Sequence, residues 1–291
     1  MQSKEIASLL KLIDDPDEEI FTTVANKLME FGREIIPRLE HLWESTSETD
    51  IQQRIELLIH RVNFRDLEDG FMEWCKSEQP ELLQGAILIS RYQYPDLNVS
   101  DLLLQFDKLR KSIWLEFNRY MTPLEQVLVL NTIIYSFQKL QGNELNIHNP
   151  KHFFINQLFE SKQGNSYSIG LVYLSLCEMM DIPIFAIDVP RQFLFAYIDT
   201  VQNYMYPDSE GVQEIQFFLD PTNGLLYTHK DVDTYLNKIN AKDKELYFLP
   251  INTKRIMYKL LEELVLCYQY NREEEKAEEI KQLMRIIVDS E

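Results

Sequence analysis

The sequence predicts a mainly helical α+β protein, with helical hairpins flanking a core that holds one small antiparallel sheet. Three observations predict it. Apolar residues recur at three- and four-residue spacing up to about residue 140 and again after about residue 231, the mark of amphipathic helices with one buried stripe. Two short runs rich in β-branched and aromatic residues, 182–189 and 192–197, stand on either side of a Pro-Arg break. A third, 215–219, runs into the turn-forming residues Asp220-Pro221-Thr222-Asn223-Gly224.

At the amino-terminal end, Leu9, Leu10 and Ile13 form one stripe, Val24, Leu28, Phe31 and Ile35 a second, Leu39, Leu42 and Trp43 a third, and Ile51, Ile55, Leu58 and Val62 a fourth. Asp14-Asp15-Pro16-Asp17 begins a new helix, with Asp15 as N-cap and Pro16 at its first position. Gly32 and Pro37 mark the next boundary. Leu82-Leu83, residues 86–89, Leu102-Leu103-Leu104 and residues 124–134 continue the helical signal, broken at Gln79-Pro80, Tyr94-Pro95-Asp96 and Thr122-Pro123. The stretch 124–134 is apolar nearly all round, which predicts a buried helix. Beyond the sheet, residues 231–239, the stripe Ile256, Leu260, Leu261 and Leu264, and the stripe Ala277, Ile280, Leu283, Met284 and Ile287 predict three more helices. With no Ser-, Gly- or Pro-rich linker inside it, 65–250 is expected to form one domain, with 1–62 as a helical segment and 251–291 as a helical hairpin.

Acidic residues outnumber basic ones 47 to 29, for a net charge of -18. That balance opposes phosphate neutralisation and argues against a nucleic acid or an anionic membrane as partner. Asp14, Asp15, Asp17, Glu18 and Glu19 follow the first apolar residues at once, leaving no apolar signal-peptide region, and no run approaches the roughly 18–20 apolar residues that span a bilayer. A cytoplasmic protein is expected. Cys75, Cys177 and Cys267 are too scattered for a disulfide framework or a clustered zinc site. His148 and His152 have a metal-ligand spacing on one helix, but Pro150 would start that helix and leave His148 outside it. No metal and no cofactor is expected.

Gly164-Asn165-Ser166, followed by Ile169, Val172, Tyr173, Leu176 and Met180, reads as a tight turn, a serine cap and a helix buried along most of its length. Together with Val189-Pro190, Phe193-Leu194, Asp220-Pro221 and Asn223-Gly224, this stretch resembles the core of a transglutaminase-like (papain-like) domain, in its divergent SirB-type branch. The resemblance covers about residues 65–250 and implies a remnant catalytic site. Its nucleophile position holds Ser166, with Ser168 close by. Its base position, just before Phe193-Leu194, holds Gln192. Its orienting acid is Asp220, and Gly164, Asn165, Pro190 and Arg191 line the cleft.

In active cores of this kind, unpaired N–H groups at the helix start stabilise a thiolate and later an oxyanion. A serine without an adjacent base is a weak nucleophile, and glutamine cannot take a proton. Each candidate also has a plainer reading. Ser166 or Ser168 caps the helix, and Asp220 organises an Asx-type turn. Arg191 stands where the resemblance implies glycine, and either pairs with Asp220 or faces solvent. Cys177 lies eleven residues beyond Ser166, about 16 Å along a helix, too far from the turn and placed as a packed core thiol.

Residues 12–39 resemble a HEAT-type helical hairpin, the alternative being a plain helix pair. The last two helices resemble a single tetratricopeptide-type hairpin or a capping pair. The combined expectation is a non-catalytic transglutaminase-like protein acting through protein or peptide binding. The alternative is a divergent cysteine-protease-fold hydrolase or amide transferase that uses Ser166 or Ser168. Its base would be unconventional, with His148, His152 and His229 the imidazoles in or near the core.

Overall fold

The computed structural model describes residues 2–15, 17–142, 148–198, 215–242 and 244–290. They fall into two compact units, Met1–Glu73 with Arg91–Pro95, and Trp74–Ser90 with Asp96–Glu291.

In the first unit α1 (Gln2–Leu10), α2 (Glu18–Met29), α3 (Ile36–Ser45) and the first part of α4 (Thr49–Lys76) turn their apolar stripes inward. Ile13, Val24, Leu28, Ile35, Leu39, Ile55, Leu58 and Val62 are buried together, with Leu9, Leu10, Phe31, Leu42 and Ile51 packed against them. Trp43 instead stays at the surface and donates its Nε1 hydrogen to Glu56 Oε1 at 2.9 Å. The cap of α2 is Asp17, not the expected Asp15. Asp17 Oδ1 accepts from the Glu19 N–H at 2.9 Å, whereas Asp15 Oδ1 is occupied by the Asp17 N–H. Pro16 lies outside the described residues.

Arg54 on α4 holds this turn. Its guanidinium donates to Ile13 O at 3.1 Å and to Asp15 O and Glu18 Oε1 at 2.6 Å each, and it lies 4.7 Å over the Phe21 ring. Two carbonyls beyond the end of α1 thus find a charged donor. Arg54→Ala is expected to cost about 2–3 kcal/mol in urea unfolding. A cost below about 0.5 kcal/mol would mean the turn holds itself.

In the second unit most of α5 (Leu82–Gln93), up to Ser90, and α6 (Val99–Glu116) precede α7 (Pro123–Asn131), which starts with a reciprocal capping box between Thr122 and Glu125 and runs into a π-helical stretch, Thr132–Phe137. Burial here is narrower than the apolar sequence predicts. Val127, Leu130, Ile133 and Ile134 are buried, but Leu124 and Leu128 are 46% and 50% exposed, because protein covers only one side of the helix. Likewise Leu102 is buried while Leu103 and Leu104 face out.

Two very short strands, β1 (Gln141–Gly142) and β2 (Gln163–Gly164), pair in parallel around α8 (Ile155–Ser161). Next come α9 (Ser166–Met179) and a four-stranded antiparallel sheet in sequential order: β3 (Ile184–Val189), β4 (Gln192–Ile198), β5 (Ile215–Leu219) and β6 (Leu226–Tyr227). Side chains alternate across a strand, so β4 turns Phe193, Phe195 and Tyr197 to one face and Leu194, Ala196 and Ile198 to the other. The first face carries α9, whose Tyr167 and Tyr173 rings lie 4.6 and 5.9 Å from those of Phe193 and Phe195. The second face, with Ile187 and Phe218, buries Val232 and Leu236 of α10 (His229–Lys238). The chain ends in a hairpin of α11 (Thr253–Tyr270) and α12 (Glu274–Asp289).

Candidate functional site

The start of α9 lies where three loops meet. A Cβ on Gly142 would overlap the side chain and carbonyl of Thr222, and one on Gly164 would sit 2.5 Å from Ser168 Oγ and 2.8 Å from Leu158 Cδ1. Only glycine lets β1, β2, the turn after β5 and the first turn of α9 approach this closely.

Asn165, not a serine, is the N-cap. Its Oδ1 accepts from the Ser168 N–H at 2.9 Å, and Ser168 Oγ accepts in return from the Asn165 N–H at 3.1 Å. Ser168 is fully buried in this capping box. Ser166, the first helical residue, is half-buried. Among the described residues no hydrogen bond joins Ser166 to a histidine, a carboxylate or Gln192.

Asp220 is buried and organises its own turn. Its Oδ1 accepts from the Thr222 N–H at 2.7 Å, its carbonyl from the Gly224 N–H at 2.8 Å, and its N–H donates to Leu225 O at 2.9 Å. Two groups from α7 and the π-helical stretch tie the turn down: Tyr135 OH donates to Pro221 O at 2.7 Å and Asn131 Nδ2 to Gly224 O at 2.8 Å. Tyr173 OH donates to Asn131 Oδ1 at 3.2 Å, linking α9 to the same network. Burial pushes the phenols of Tyr135 and Tyr173 above their ordinary range, with the Asp220 charge adding to the effect at Tyr135. Both remain neutral donors. The sequence reading singled out none of these three as site residues. The available signal was Asn131 and Tyr135 four apart on an otherwise apolar helix.

Gln192 is exposed at the start of β4, on the strand face that carries Leu194 and away from the face that packs on α9. Val189 and Gln192 close a two-residue turn in which Pro190 precedes Arg191 at φ +61°. Proline fixes its own φ near -65°, so the pair has a type II pattern, whose second position favours glycine. Arg191 is exposed and makes no ion pair with Asp220, while Pro190 O accepts from Tyr235 OH at 2.9 Å. Arg191→Gly is expected to raise stability by about 0.5–1 kcal/mol, because relief of left-handed strain outweighs the added freedom of the unfolded chain. A thermal melt checks it, and a fall in Tm would show that the Arg191 side chain supports the hairpin.

The three imidazoles near the core are engaged elsewhere. His229 Nε2 lies 2.8 Å from Ile215 O with its ring among Phe218 and Phe248, His148 stacks on Tyr270 at 3.6 Å, and His152 Nε2 lies 3.3 Å from Asn149 Nδ2. Cys177 is buried, and desolvation raises its thiol well above the usual range. Tyr167 beside Ser166 is also raised, first by burial and then by the charges of Glu263, Glu262 and Asp188. Among the described residues no group of three or more His, Cys, Asp or Glu side chains could hold a metal ion, and no helix is long and apolar enough to cross a membrane.

Comparison with known proteins identifies this arrangement. A UPF0162 protein of Xylella fastidiosa (strain Temecula1) is 30% identical over 154 residues, covering 49% of this chain and 46% of that protein. The human F-box only protein 21 is 22% identical over 158 residues, 44% of this chain and 25% of that protein. This chain therefore spans less than half the length of the curated relatives it matches. No solved structure matches it. The model of the transglutaminase-like superfamily matches residues 100–262, more than half of the sequence and the whole of α9, the sheet and the Asp220 turn. The chain belongs to the transglutaminase-like superfamily.

Proposed function

We propose that this protein is a non-catalytic, SirB-type member of the superfamily that acts through protein or peptide contacts. One arrangement supports the reading. At the start of α9, Ser168 is committed to its capping box and Asp220 to its turn, while Gln192 lies on the strand face turned from the helix. Acyl transfer needs a nucleophile within hydrogen-bond reach of a group that can take its proton, and general acid–base help is commonly worth about 10²- to 10⁴-fold. Ser166 has no such neighbour among the described residues. In this proposal residues 1–62 form a HEAT-like segment and residues 251–291 a helical hairpin, and each supplies contact surface in addition to that of the 65–250 core. With a net charge of -18, the partner is not a nucleic acid.

Turnover tests it. Purified protein is incubated with fluorogenic peptide amides, with and without a primary-amine acceptor. The expected rate equals that of Ser166→Ala. Turnover lost in Ser166→Ala, with folding intact by circular dichroism, would overturn the proposal.

A further inference from the structure

We propose that the exposed flank of α6 is a self-association surface, on which a second copy of this chain packs its own α6 antiparallel about a two-fold axis. The inference goes beyond the peptide-binding reading and does not depend on it.

Burial defines the surface. α6 buries Leu102, Phe106, Leu109 and Ile113, and the same steps of four and three residues recur one position on, about 100° around the helix, at Leu103, Asp107, Arg110 and Trp114. Steps of this kind keep a row nearly parallel to the helix axis, so the four side chains form a straight line about 16 Å long. Leu103 is 45% and Trp114 64% exposed. Among the described residues Trp114 makes no hydrogen bond or ring contact. A large aromatic left in water is the residue type that most often anchors a protein interface.

Charge decides the occupant. The row reads leucine, acid, base, tryptophan, and a two-fold axis between Lys108 and Leu109 reverses it. Leu103 then meets Trp114 of the partner subunit, Asp107 meets Arg110 of the partner subunit, and each contact occurs twice. A parallel pair would instead set carboxylate on carboxylate and guanidinium on guanidinium. The next row, Leu104, Lys108, Lys111 and Leu115, has the same spacing, but the same reversal sets Lys108 against Lys111 of the partner subunit, which excludes it as the contact.

Within one copy the half-exposed Asp107 carboxylate pairs with Arg110 at 2.8 Å and Lys111 at 2.6 Å. Surface pairs of that kind contribute about 0–1 kcal/mol, so sharing the carboxylate across the axis costs little. The same axis brings Val99 of the partner subunit to Asn118, at a groove of about 450 Å³ that Tyr120, Met121 and Leu128 line beyond the end of α6. With 18 residues, α6 is about 27 Å long and about 10 Å wide, small against the roughly 800 Å² that a standard interface takes from each partner. A weak dimer, dissociating at about 10–100 µM, is expected.

Sedimentation velocity on the full chain, from about 5 to about 500 µM, tests the proposal. The sedimentation coefficient is expected to rise with concentration. Trp114→Asp is expected to weaken association at least tenfold, and Leu115→Asp, on the neighbouring row, to change it less than about threefold. Asp107→Arg and Arg110→Asp each set like charges opposite one another, and each is expected to stay monomeric. Mixed in equal amounts they are expected to associate at least tenfold more tightly than either alone, because one copy then offers cations at both positions and the other carboxylates. Repulsion within each helix is the same before and after mixing, so the recovery reads the contact between copies and not helix stability, with circular dichroism as the check that each variant is folded. An unsubstituted chain that stays monomeric at about 500 µM would overturn the proposal. So would association unaffected by Trp114→Asp, or two charge variants that fail to associate on mixing.

Discussion

Gly224→Ala is expected to destabilise the second unit by about 2–5 kcal/mol in urea unfolding. Two costs combine. Gly224 has φ +75°, a left-handed conformation that costs an alanine about 1–2 kcal/mol. A Cβ there would also lie 2.6 Å from Tyr135 Cε2 and 2.8 Å from Asn131 Nδ2, and overpacking of that kind costs about 1–3 kcal/mol. The displaced groups are the two that hold Pro221 O and Gly224 O, so the shift should spread to Tyr173 through its bond to Asn131. Gly32 is the comparison: its φ is +59° but no atom lies within 4 Å of its Cβ position, so Gly32→Ala should cost only the conformational part, about 1–2 kcal/mol. Equal losses in the two variants would show that the Asp220 turn is not closely packed against its supports.

Phe195→Ala is expected to cost about 3–5 kcal/mol. Phe195 sits mid-strand in β4, fully buried, against Phe193 at 5.3 Å, Tyr173 at 5.9 Å and the open side of Gly170. The ring fills the space where α9 crosses the sheet, and the absent side chain of Gly170 is what lets it in. Removing it leaves a cavity between elements that cannot collapse together without moving α9. Phe185→Ala, one strand away and 38% exposed, should cost under about 0.5 kcal/mol. A loss under about 1.5 kcal/mol in Phe195→Ala would mean that the α9–sheet contact does not dominate the core.

Much of this architecture was legible because it rests on local patterns. Val24 with Leu28, and Ile55 with Leu58, announce buried helix faces by spacing alone, and Pro190-Arg191 between two aromatic runs announces a hairpin. Tertiary geometry decided the rest. Whether Asp15 or Asp17 caps α2 depends on which carboxylate the backbone turns toward the helix, and both suit the sequence. Leu124 and Leu128 look like core because spacing cannot say how many sides of a helix are covered. β6 and the β1–β2 pair are two residues long, too short for alternation to register. At the site, Gly164, Asn165, Asp220 and Gly224 stood out as turn formers, but the hold of Asn131 and Tyr135 on the 220–224 turn spans about 90 residues of sequence, and their four-residue spacing on a mostly apolar helix does not say which turn they reach.

Labelling with reactive electrophiles, read by intact mass, tests most directly the claim that the start of α9 carries a cap and no activated nucleophile. Native protein is treated with a fluorophosphonate and separately with iodoacetamide, beside protein unfolded in urea and the variants Ser166→Ala, Ser168→Ala and Cys177→Ala. No fluorophosphonate adduct is expected, and iodoacetamide adducts are expected at the buried Cys75, Cys177 and Cys267 only after unfolding. One stoichiometric adduct on native protein, lost in Ser166→Ala or Ser168→Ala, would contradict that claim and name the nucleophile.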